Sequence, residues 1–305
     1  INRIYYCPHH PDLGFKGELK HYKINCSCRK PLIGMIDNAV NDLNIDLTKS
    51  WFIGDSSTDM LTARRAGLKS ILVETGYAGL DQKYWVTPDF IVPNLERAVN
   101  FILQVYPKLL NYCSRLLSGY TGGDFIVVGG LSRSGKSTFA NVLKYLLQGK
   151  GKKAHVISID RWLKSDNDRT EGVLGRYDID TFLSFIKNIK NTGIVSSIYH
   201  LPGYHKLRKE KKEFVETMEY SKNDVMIIEG NIALQIEYIA SLSRQKFLIT
   251  LNEESRKERV IKEYLIRGLT SELANNIYVN RQTDESPFIL KNDDGVISVN
   301  MTEFY

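Results

Sequence analysis

The sequence predicts an α/β protein with two three-layer domains, each built on a parallel sheet between layers of helices. Three observations support this prediction. The chain has 305 residues, which suits two domains of ordinary size. Hydrophobic residues make up 43% and charged residues 25%, as in folded globular proteins. Short apolar segments alternate with amphipathic ones, which is typical of strands buried on both faces.

The first block of alternating elements is expected over residues 1–104. A helix is predicted from Pro31 to Leu43, and the apolar run Trp51–Ile53 predicts a strand that ends at Gly54 and Asp55. Beyond this strand the pattern predicts a helix over 58–66, strands over 70–73 and 90–92, and a helix over 95–104.

Residues 105–122 are interpreted as a linker, because they contain Pro107 and end in the turn-forming run SGYTGGD. A short connecting helix is expected within them, over 109–117. The charged stretch KLRKEKKE, at 206–213, is expected to form a solvated helix face. The second block spans 123–305, with strands predicted over 125–128, 154–159, 225–228, 247–251 and 296–299 and helices over 137–148, 180–190 and 253–267.

Charge and hydropathy exclude several classes of protein. Lysine and arginine number 41 against 35 acidic residues, and this net charge of +6 suits small anionic substrates but is too dispersed for a nucleic-acid partner. No apolar run approaches the roughly 18 residues of a membrane-spanning helix, and no signal peptide is visible. A cytoplasmic protein without a membrane partner is therefore expected. The chain does not begin with methionine, so we expect a fragment of a longer protein.

The strongest motif is a phosphate-binding loop. Residues 130–138, GLSRSGKST, fit the P-loop pattern G-x-x-x-x-G-K-[ST], with an apolar strand before it and an amphipathic helix after it. The glycines let backbone N–H groups turn toward a polyphosphate, and the helix N-terminus adds a positive dipole end. Lys136 is expected to reach the β- and γ-phosphates of ATP, and Ser137 is expected to hold Mg²⁺. The expected ATP-binding residues are Gly130, Ser132, Ser134, Gly135, Lys136, Ser137 and Thr138.

Carboxylates and arginines near this loop indicate phosphoryl transfer. Asp160 ends the second predicted strand of the block and is a candidate general base for an acceptor hydroxyl. Glu229 ends the third strand and is a candidate ligand of Mg²⁺ or of its water shell. Arg256, Arg259 and Arg267 lie on one predicted helix and are candidates for stabilising the transferred charge. The alternatives are that the aspartate caps a helix and that the arginines face solvent.

The order of motifs over residues 124–300 resembles the uridine kinase and phosphoribulokinase group of P-loop kinases. The segments that carry the resemblance are GLSRSGKST, VISIDRW, GRYDIDTF, IYHLPGYHKLR, VMIIEGNIAL and IRG. The resemblance implies a P-loop NTPase fold and an ATP-dependent transferase. In such a kinase Asp160 acts as the base, Asp178 helps to hold the substrate, Glu229 lies near the metal and Arg267 contacts the phosphates.

The substrate region departs from the nucleoside kinases of that group. Where those enzymes have P-x-Y-D, this chain has the run 202–205, PGYH, and Arg161 and Trp162 follow the predicted base. Tyr204 and His205 are therefore candidate substrate contacts. The acceptor is expected to be a small-molecule hydroxyl, on a sugar or sugar derivative rather than on uridine.

Cysteine and histidine residues cluster near the start of the chain. Cys7, His9, Cys26 and Cys28 form C-x-H … C-x-C, and their three thiolates and one imidazole would complete a tetrahedral Zn²⁺ shell. Because no coordination position is left open, a structural zinc in a reducing compartment is predicted. The alternative is a set of unrelated cysteines, and His10 is less suited as a ligand by its spacing.

Two acids and a lysine follow this cluster. Asp55 and Asp59 form G-D-x-x-x-D at the end of a predicted strand, and paired carboxylates there suit Mg²⁺. Asp59 can equally stabilise the first turn of a helix. Lys30 lies at a predicted helix start and is expected to neutralise a phosphoryl group.

The segments CPHHP, CSCRKP, GDSSTDMLTARRAG and VETG, over about residues 5–80, resemble the zinc-loop phosphatases of the haloacid dehalogenase (HAD) superfamily. The nearer type is the D-glycero-D-manno-heptose 1,7-bisphosphate phosphatase, and the other is histidinol-phosphatase. The resemblance implies a phosphomonoester hydrolase in which the cluster binds zinc and Lys30 is catalytic. It further implies that Arg29 contacts the substrate phosphate and that Asp55 contacts Mg²⁺ more directly than Asp59.

One part of the HAD pattern is missing. The superfamily attacks phosphate with an aspartate of a D-x-D motif on its first strand, before the zinc loop, and residues 1–6 contain no such motif. We therefore expect a partial HAD-like domain with a Rossmann-type sheet and without phosphatase turnover. Apolar surface is expected to be exposed where the first strand belongs.

Together the two blocks predict a bifunctional enzyme of carbohydrate metabolism. A sugar-phosphate phosphatase domain is expected to be fused to a kinase that uses ATP and Mg²⁺. Two alternatives stay open. One is a uridine or cytidine kinase with a histidinol-phosphatase-like domain, and the other is an ATP-binding regulatory module without phosphoryl transfer.

Overall fold

The computed structural model describes residues 1–81, 83–117, 119–205, 209–291 and 295–305, and for His205 the backbone alone. The chain divides into two compact units, Ile1–Phe101 and Ile102–Tyr305. Each unit is an α/β structure built on a parallel sheet, which confirms the predicted fold class.

The first unit contains a three-stranded parallel sheet in the order β1-β2-β3, so that β1 is an edge strand of the described sheet. Its strands are β1 (Trp51–Gly54), β2 (Lys69–Val73) and β3 (Phe90–Val92), and its helices are α1 (Gly34–Leu43), α2 (Ser57–Arg65) and α3 (Leu95–Asn100). All the strands and helices predicted for this block are present. Helix α1 begins at Gly34 rather than at Pro31, and the helix predicted over 95–104 changes to a π-helical turn at Phe101–Val105.

Burial in the first unit is confined to its second half. None of residues 1–50 is buried, whereas Ile71 and Phe90 are almost completely buried. The ring centroid of Phe90 lies 5.5 Å from that of Trp51 and 4.8 Å from that of Phe101. The segment that carries the cysteine and histidine cluster therefore has no hydrophobic core of its own.

The second unit contains a five-stranded parallel sheet in the order β10-β9-β4-β8-β5. Its strands are β4 (Phe125–Gly129), β5 (Ala154–Ser158), β8 (Val225–Glu229), β9 (Ser243–Thr250) and β10 (Val296–Asn300). All five strands predicted from the sequence are present. Strand β4 is buried along its whole length because it lies in the middle of the sheet, and this explains its continuous apolar sequence.

The helices of the second unit include those that the sequence predicts over 109–117, 137–148, 180–190 and 253–267. They are α4 (Tyr106–Leu116), α5 (Lys136–Gly149), α6 (Ile179–Lys190), α7 (Glu237–Leu242), α8 (Glu253–Ile266), α9 (Ser271–Asp284) and α10 (Ser286–Ile289). Helix α4 agrees with the helix expected over 109–117, and its Leu109 and Cys113 are fully buried. No described helix of the chain is both long and apolar enough to cross a membrane.

A long antiparallel hairpin corrects one sequence prediction. Strands β6 (Ser197–His205) and β7 (Glu210–Tyr220) pair along their length, so the solvated helix expected over 206–213 is wrong for its described residues, 209–213. Residues 206–208 lie outside the described residues. The amino-terminal half of β7, residues 210–214, is exposed on both faces, so its sequence lacks the alternation of apolar and polar residues that marks a strand.

Candidate functional site

The phosphate loop connects β4 to α5, as the motif predicts. Gly130 has a φ of 138°, and a side chain there would overlap the carbonyl oxygen of Ile249. Gly135 has a φ of 105° and is the N-cap of α5. Lys136 is buried, and its Nζ donates a hydrogen bond to the Leu131 carbonyl oxygen at 2.7 Å. The positive φ of Gly130 and Gly135 favours glycine, so the two glycines of the motif suit this loop conformation.

Serines of the loop point in different directions. The Oγ of Ser132 accepts a hydrogen bond from Nδ2 of Asn231 at 2.8 Å. The Oγ of Ser134 is buried and has no hydrogen-bond partner among the described residues. Ser137 is exposed and Thr138 is partly exposed in the first turn of α5, so Ser137 is accessible to a metal ion. A buried hydroxyl without a partner fits a loop that receives a polar ligand.

Two carboxylates lie at the carboxyl edge of the same sheet, beside the loop. Glu229 is the last residue of β8 and is paired in register with Val128 of β4 and Ser158 of β5. Asp160 lies in the 3₁₀ turn that directly follows β5. Because β8 separates β4 from β5, the three strand ends bring the loop, Glu229 and Asp160 to one edge.

Asp160 is held by a buried tyrosine. The hydroxyl of Tyr177 donates to Oδ1 of Asp160 at 3.4 Å. Burial and the nearby charge of Asp160 raise the pKa of Tyr177 well above its usual value, so this phenol stays protonated as a donor. The geometry suits a carboxylate kept in one orientation.

The predicted arginines of α8 are all engaged with groups of their own unit. Arg256 is 3% exposed and forms a bidentate ion pair with the carboxylate of Glu253. Arg267 pairs with Glu263, which also pairs with Arg133 of the phosphate loop. The guanidinium of Arg259 lies 4.4 Å from the ring centroid of Tyr305. Helix α8 is therefore tied to the phosphate loop through Glu263.

The predicted substrate residues have structural partners. Asp178 caps α6 by accepting from the Thr181 N–H at 3.3 Å, and it pairs with Lys211 at 2.9 Å. Desolvation raises the pKa of Asp178, but its hydrogen bonds to Lys211 and Thr181 outweigh this and lower it. The hydroxyl of Tyr204 accepts from Arg169 at 3.0 Å.

His205 pairs through its backbone with Glu210, and its side chain lies outside the described residues.

The cysteine and histidine cluster of the first unit is assembled in space. Ligand atoms of Cys7, His9, Cys26 and Cys28 all lie within 4.8 Å of one another, and this is the one such group of three or more metal-binding side chains among the described residues. The sulfur of Cys28 lies 3.2 Å from the sulfurs of Cys7 and Cys26 and 3.4 Å from Nδ1 of His9. Ligands about 2.3 Å from a tetrahedral zinc would be separated by slightly more than these distances, so the cluster fits zinc.

Proton sharing within the cluster supports the same interpretation. Desolvation raises the pKa of Cys26, but hydrogen bonds from Cys28 and Cys7 outweigh it and lower that pKa to about 6. The hydrogen bond to Cys26 and a second to Cys7 raise the pKa of Cys28 to about 12. Thiols packed this closely cannot all ionise unless a cation balances them, and a bound metal would displace the shared protons.

Lys30 and Asp59 form an ion pair. The Nζ of Lys30 lies 2.5 Å from Oδ1 of Asp59, which is 5% exposed. The other carboxylate oxygen accepts from the hydroxyl and the N–H of Ser56 and completes a capping box at the start of α2. Burial raises the pKa of Asp59, but the bonds from Lys30 and Ser56 lower it overall. Both carboxylate oxygens of Asp59 therefore have protein partners, and the residue stabilises the start of α2.

Asp55 and Arg29 lie nearer to open space. Oδ2 of Asp55 accepts from the Tyr77 N–H at 2.9 Å, and the residue is partly exposed. Arg29 donates to the His9 carbonyl oxygen at 2.7 Å, which links it to the cluster. Arg29 also lines a cavity of about 510 Å³. The cavity is lined by Tyr5, Tyr6, Cys7, Pro11, Asp12, Arg29, Lys30, Met35, Thr58, Lys83 and Tyr84.

Sequence reasoning did not identify three residues at the phosphate site. Asn231 follows Glu229-Gly230 directly, so its position at the sheet edge could have been inferred from the strand end. Tyr177 lies beside Asp178 in the segment GRYDIDTF, so it could also have been inferred, and it contacts Asp160. Arg281 carries no such signal, because its contact with Ser132 joins segments that are distant in the sequence.

Comparisons with known proteins agree with this geometry in the first unit. Residues 27–98 match the HAD-hydrolase-like family model. The chain is 47% identical over 79 residues to the D-glycero-beta-D-manno-heptose-1,7-bisphosphate 7-phosphatase of Haemophilus ducreyi, covering 26% of this chain and 41% of that protein. It is 35% identical over 104 residues to the enzyme of the same name from Escherichia coli K12, covering 34% and 46%. The chain thus spans less than half the length of these relatives.

A solved structure corresponds to the second unit. A protein named as a fructose transport system kinase from Silicibacter sp. TM1040 aligns with 65% of this chain and 99% of its own, with a TM-score of 0.50 and 18% sequence identity. At this identity the likeness concerns the fold. Both predicted resemblances are confirmed at this level: residues 27–98 match the HAD-hydrolase-like model, part of the chain is similar to heptose-bisphosphate phosphatases, and the second unit has the fold of this kinase.

Proposed function

We propose that the second unit is an ATP-dependent kinase that transfers the γ-phosphoryl group to a hydroxyl of a small molecule. The observation that carries this proposal is the position of Asp160 and Glu229 at strand ends next to the phosphate loop. A nucleotide-binding module without transfer needs the loop but has no use for a carboxylate base at that edge.

The proposed reaction assigns a task to each group. Asp160 takes the proton of the acceptor hydroxyl while that oxygen attacks the γ-phosphorus and the bond to the β-phosphate oxygen breaks, releasing ADP. Tyr177 keeps the Asp160 carboxylate oriented. The loop N–H groups and Lys136 hold the phosphates, and Arg267, the C-cap residue of α8, is proposed to approach them. Bound at Ser137 and Glu229, Mg²⁺ would neutralise charge on the phosphate oxygens.

The acceptor class follows from the first unit and from the substrate region. The phosphatases that part of the chain resembles are named for a sugar bisphosphate, so a sugar or sugar derivative is the acceptor that we propose for the kinase. Asp178, Tyr204 and His205 are proposed to contact it. Uridine and cytidine are the competing acceptors.

For the first unit we propose a phosphatase-type site of the heptose-bisphosphate kind. Cys7, His9, Cys26 and Cys28 would hold a structural zinc. Asp55 would contact Mg²⁺ more directly than Asp59, which also pairs with Lys30. Arg29 and Lys30 line the cavity and would bind a phosphate group of the substrate. We expect no phosphate release by residues 1–305 alone, because residues 1–104 contain no D-x-D motif.

The test is acceptor-dependent ADP release by the full chain with MgATP. The acceptor panel compares heptose and hexose phosphates and free sugars with uridine and cytidine, and Lys136→Ala is the blank. Turnover with a sugar or sugar phosphate that is lost in Lys136→Ala supports the proposal. Turnover with a nucleoside overturns the acceptor class. ATP binding without turnover on any acceptor contradicts the kinase function and favours a regulatory module.

A further inference from the structure

Arg281, on α9, reaches the phosphate loop from a segment that no motif marks. It lies 149 positions from Ser132 in the sequence, yet its Nη1 donates to the Ser132 Oγ at 3.1 Å. Asn231 donates to the same oxygen, and Arg256 donates to the Ser132 carbonyl oxygen at 3.3 Å. Three elements therefore converge on the middle of the loop, and two of them bring a guanidinium group.

The two guanidinium groups differ in how their charge is balanced. Arg256 is 3% exposed and donates through Nε and Nη2 to both oxygens of Glu253, at 2.9 and 2.7 Å. The side chain of Arg281 is 33% exposed, and its one ion pair among the described residues is with Glu285, at 3.6 Å. Glu285 is shared with Arg176, so Arg281 keeps donor capacity that Arg256 has already used.

Glu285 is placed to hold Arg281 at the loop. It is 3% exposed; its Oε1 pairs with both Arg176 and Arg281, and its Oε2 is buried with no hydrogen-bond partner among the described residues. A buried carboxylate with an unsatisfied oxygen lowers stability, so its presence between two arginines indicates a positioning role. Arg176 adjoins Tyr177, which contacts Asp160, so one charged cluster borders both the phosphate loop and the proposed base.

We propose that Arg281 contacts the terminal phosphate of a bound nucleoside triphosphate, with Glu285 as its positioning residue. The guanidinium now donates to the neutral hydroxyl of Ser132 in the phosphate loop. A triphosphate bound by the adjacent loop N–H groups would offer charged acceptors next to the same side chain. Hydrogen bonds to a charged acceptor are about twice as strong as neutral ones, and the planar guanidinium fork matches phosphate geometry. This inference rests on the proposed function of the second unit.

The test measures MgATP and MgADP affinity by calorimetry on the full chain. In Arg281→Ala the dissociation constant for MgATP should rise about 10- to 100-fold, while that for MgADP changes less than about 3-fold. Arg281→Lys keeps the charge and should recover part of the loss. The matched control is Arg244→Ala, which removes an arginine that pairs with Asp124 at 3.5 Å next to the amino end of β4, and both affinities should stay unchanged.

Thermal unfolding of each variant identifies a merely structural effect. Equal weakening of MgATP and MgADP, or unchanged MgATP affinity in Arg281→Ala, overturns the inference while wild-type nucleotide binding leaves the proposed function standing. Should Arg281→Ala not fold, the same comparison on Arg281→Lys decides. Wild-type protein that binds neither nucleotide overturns the proposed function itself.

A double-mutant cycle tests the positioning role of Glu285. Glu285→Gln should reduce the preference for MgATP over MgADP, but by less than Arg281→Ala does. The double variant should show the same preference as Arg281→Ala alone. Additive losses overturn the positioning role, because they mean that Glu285 acts independently of Arg281.

Discussion

The two units differ in what holds their phosphate-handling residues in place. In the second unit the phosphate loop extends from β4, which is buried along its whole length in a five-stranded sheet. In the first unit none of residues 1–50 is buried, and Cys7, His9, Cys26 and Cys28 draw this part of the chain together. The comparison teaches that the site of the second unit depends on hydrophobic packing, whereas we propose that the site of the first unit depends on metal coordination.

Loss of the metal should have the largest effect, and it should affect the first unit and not the second. A structural zinc contributes about 10–16 kcal/mol of apparent binding free energy, which residues 1–33 have no core to replace. We predict that His9→Ala lowers zinc below one equivalent and raises hydrogen exchange throughout residues 1–33, with MgATP binding unchanged. His10→Ala is the matched control, since His10 is outside the cluster. Full zinc content in His9→Ala would contradict the metal assignment.

Removing the proposed base should affect catalysis in the second unit alone. Asp160→Asn keeps the shape of the side chain and abolishes its basicity, so the turnover number should fall about 10²- to 10⁴-fold with MgATP affinity kept. Steady-state ADP release and calorimetry measure the two quantities. An unchanged turnover number would remove Asp160 from the role of base.

Truncating an apolar side chain should lower the free energy of unfolding strongly at a buried position of the second unit and hardly at all at an exposed position of the first. Ile227 is fully buried in β8, and Ile227→Ala should lower the free energy of unfolding by about 2–5 kcal/mol. Ile4 is 77% exposed, and Ile4→Ala should change it by less than about 0.5 kcal/mol. Chemical denaturation followed by circular dichroism makes the comparison. A large loss in Ile4→Ala would mean that residues 1–50 have a hydrophobic core after all.

The smallest predicted effect is a pH dependence in the second unit. Burial lowers the pKa of His155 although Asp224 accepts from its ring at 2.9 Å, and Lys153 and Lys144 also disfavour its charge. The folded state then binds fewer protons than the unfolded state, so stability should fall as pH decreases below about 6.5, the unfolded value. It should level off below the folded pKa of His155.

Urea denaturation from pH 7.5 to 5.5 measures this dependence. His155→Asn should flatten the curve relative to the wild type. An equally steep curve in the variant would assign the dependence to other groups.

Sequence reasoning succeeded where local pattern and local structure coincide. The run that ends at Val128 gave both a strand and the loop after it, because buried parallel strands are continuously apolar. The C-x-H … C-x-C spacing likewise indicated a cluster that the structure assembles. The first signal lies within one short run, and the second lies in two short motifs, at residues 7–9 and 26–28.

It failed where structure depends on distant contacts. The amino-terminal half of strand β7 is exposed, so its charged sequence was interpreted as a solvated helix face. Helix α9 has no apolar stripe, and the contact of Arg281 with Ser132 depends on the packing of the whole unit. Asp59 was ambiguous between metal ligand and helix start, and its contacts with Lys30 and Ser56 required three-dimensional geometry.

Phosphorus NMR tests the central claim most directly, because one spectrum separates ATP, ADP, a phosphate ester and inorganic phosphate. The full chain would be incubated with MgATP and the sugar acceptors, beside Asp160→Asn. The account predicts that ADP and a phosphate ester of the acceptor grow together in the wild type and that both are nearly abolished in the variant. Inorganic phosphate as the sole product, or ester formation that survives in Asp160→Asn, would contradict it.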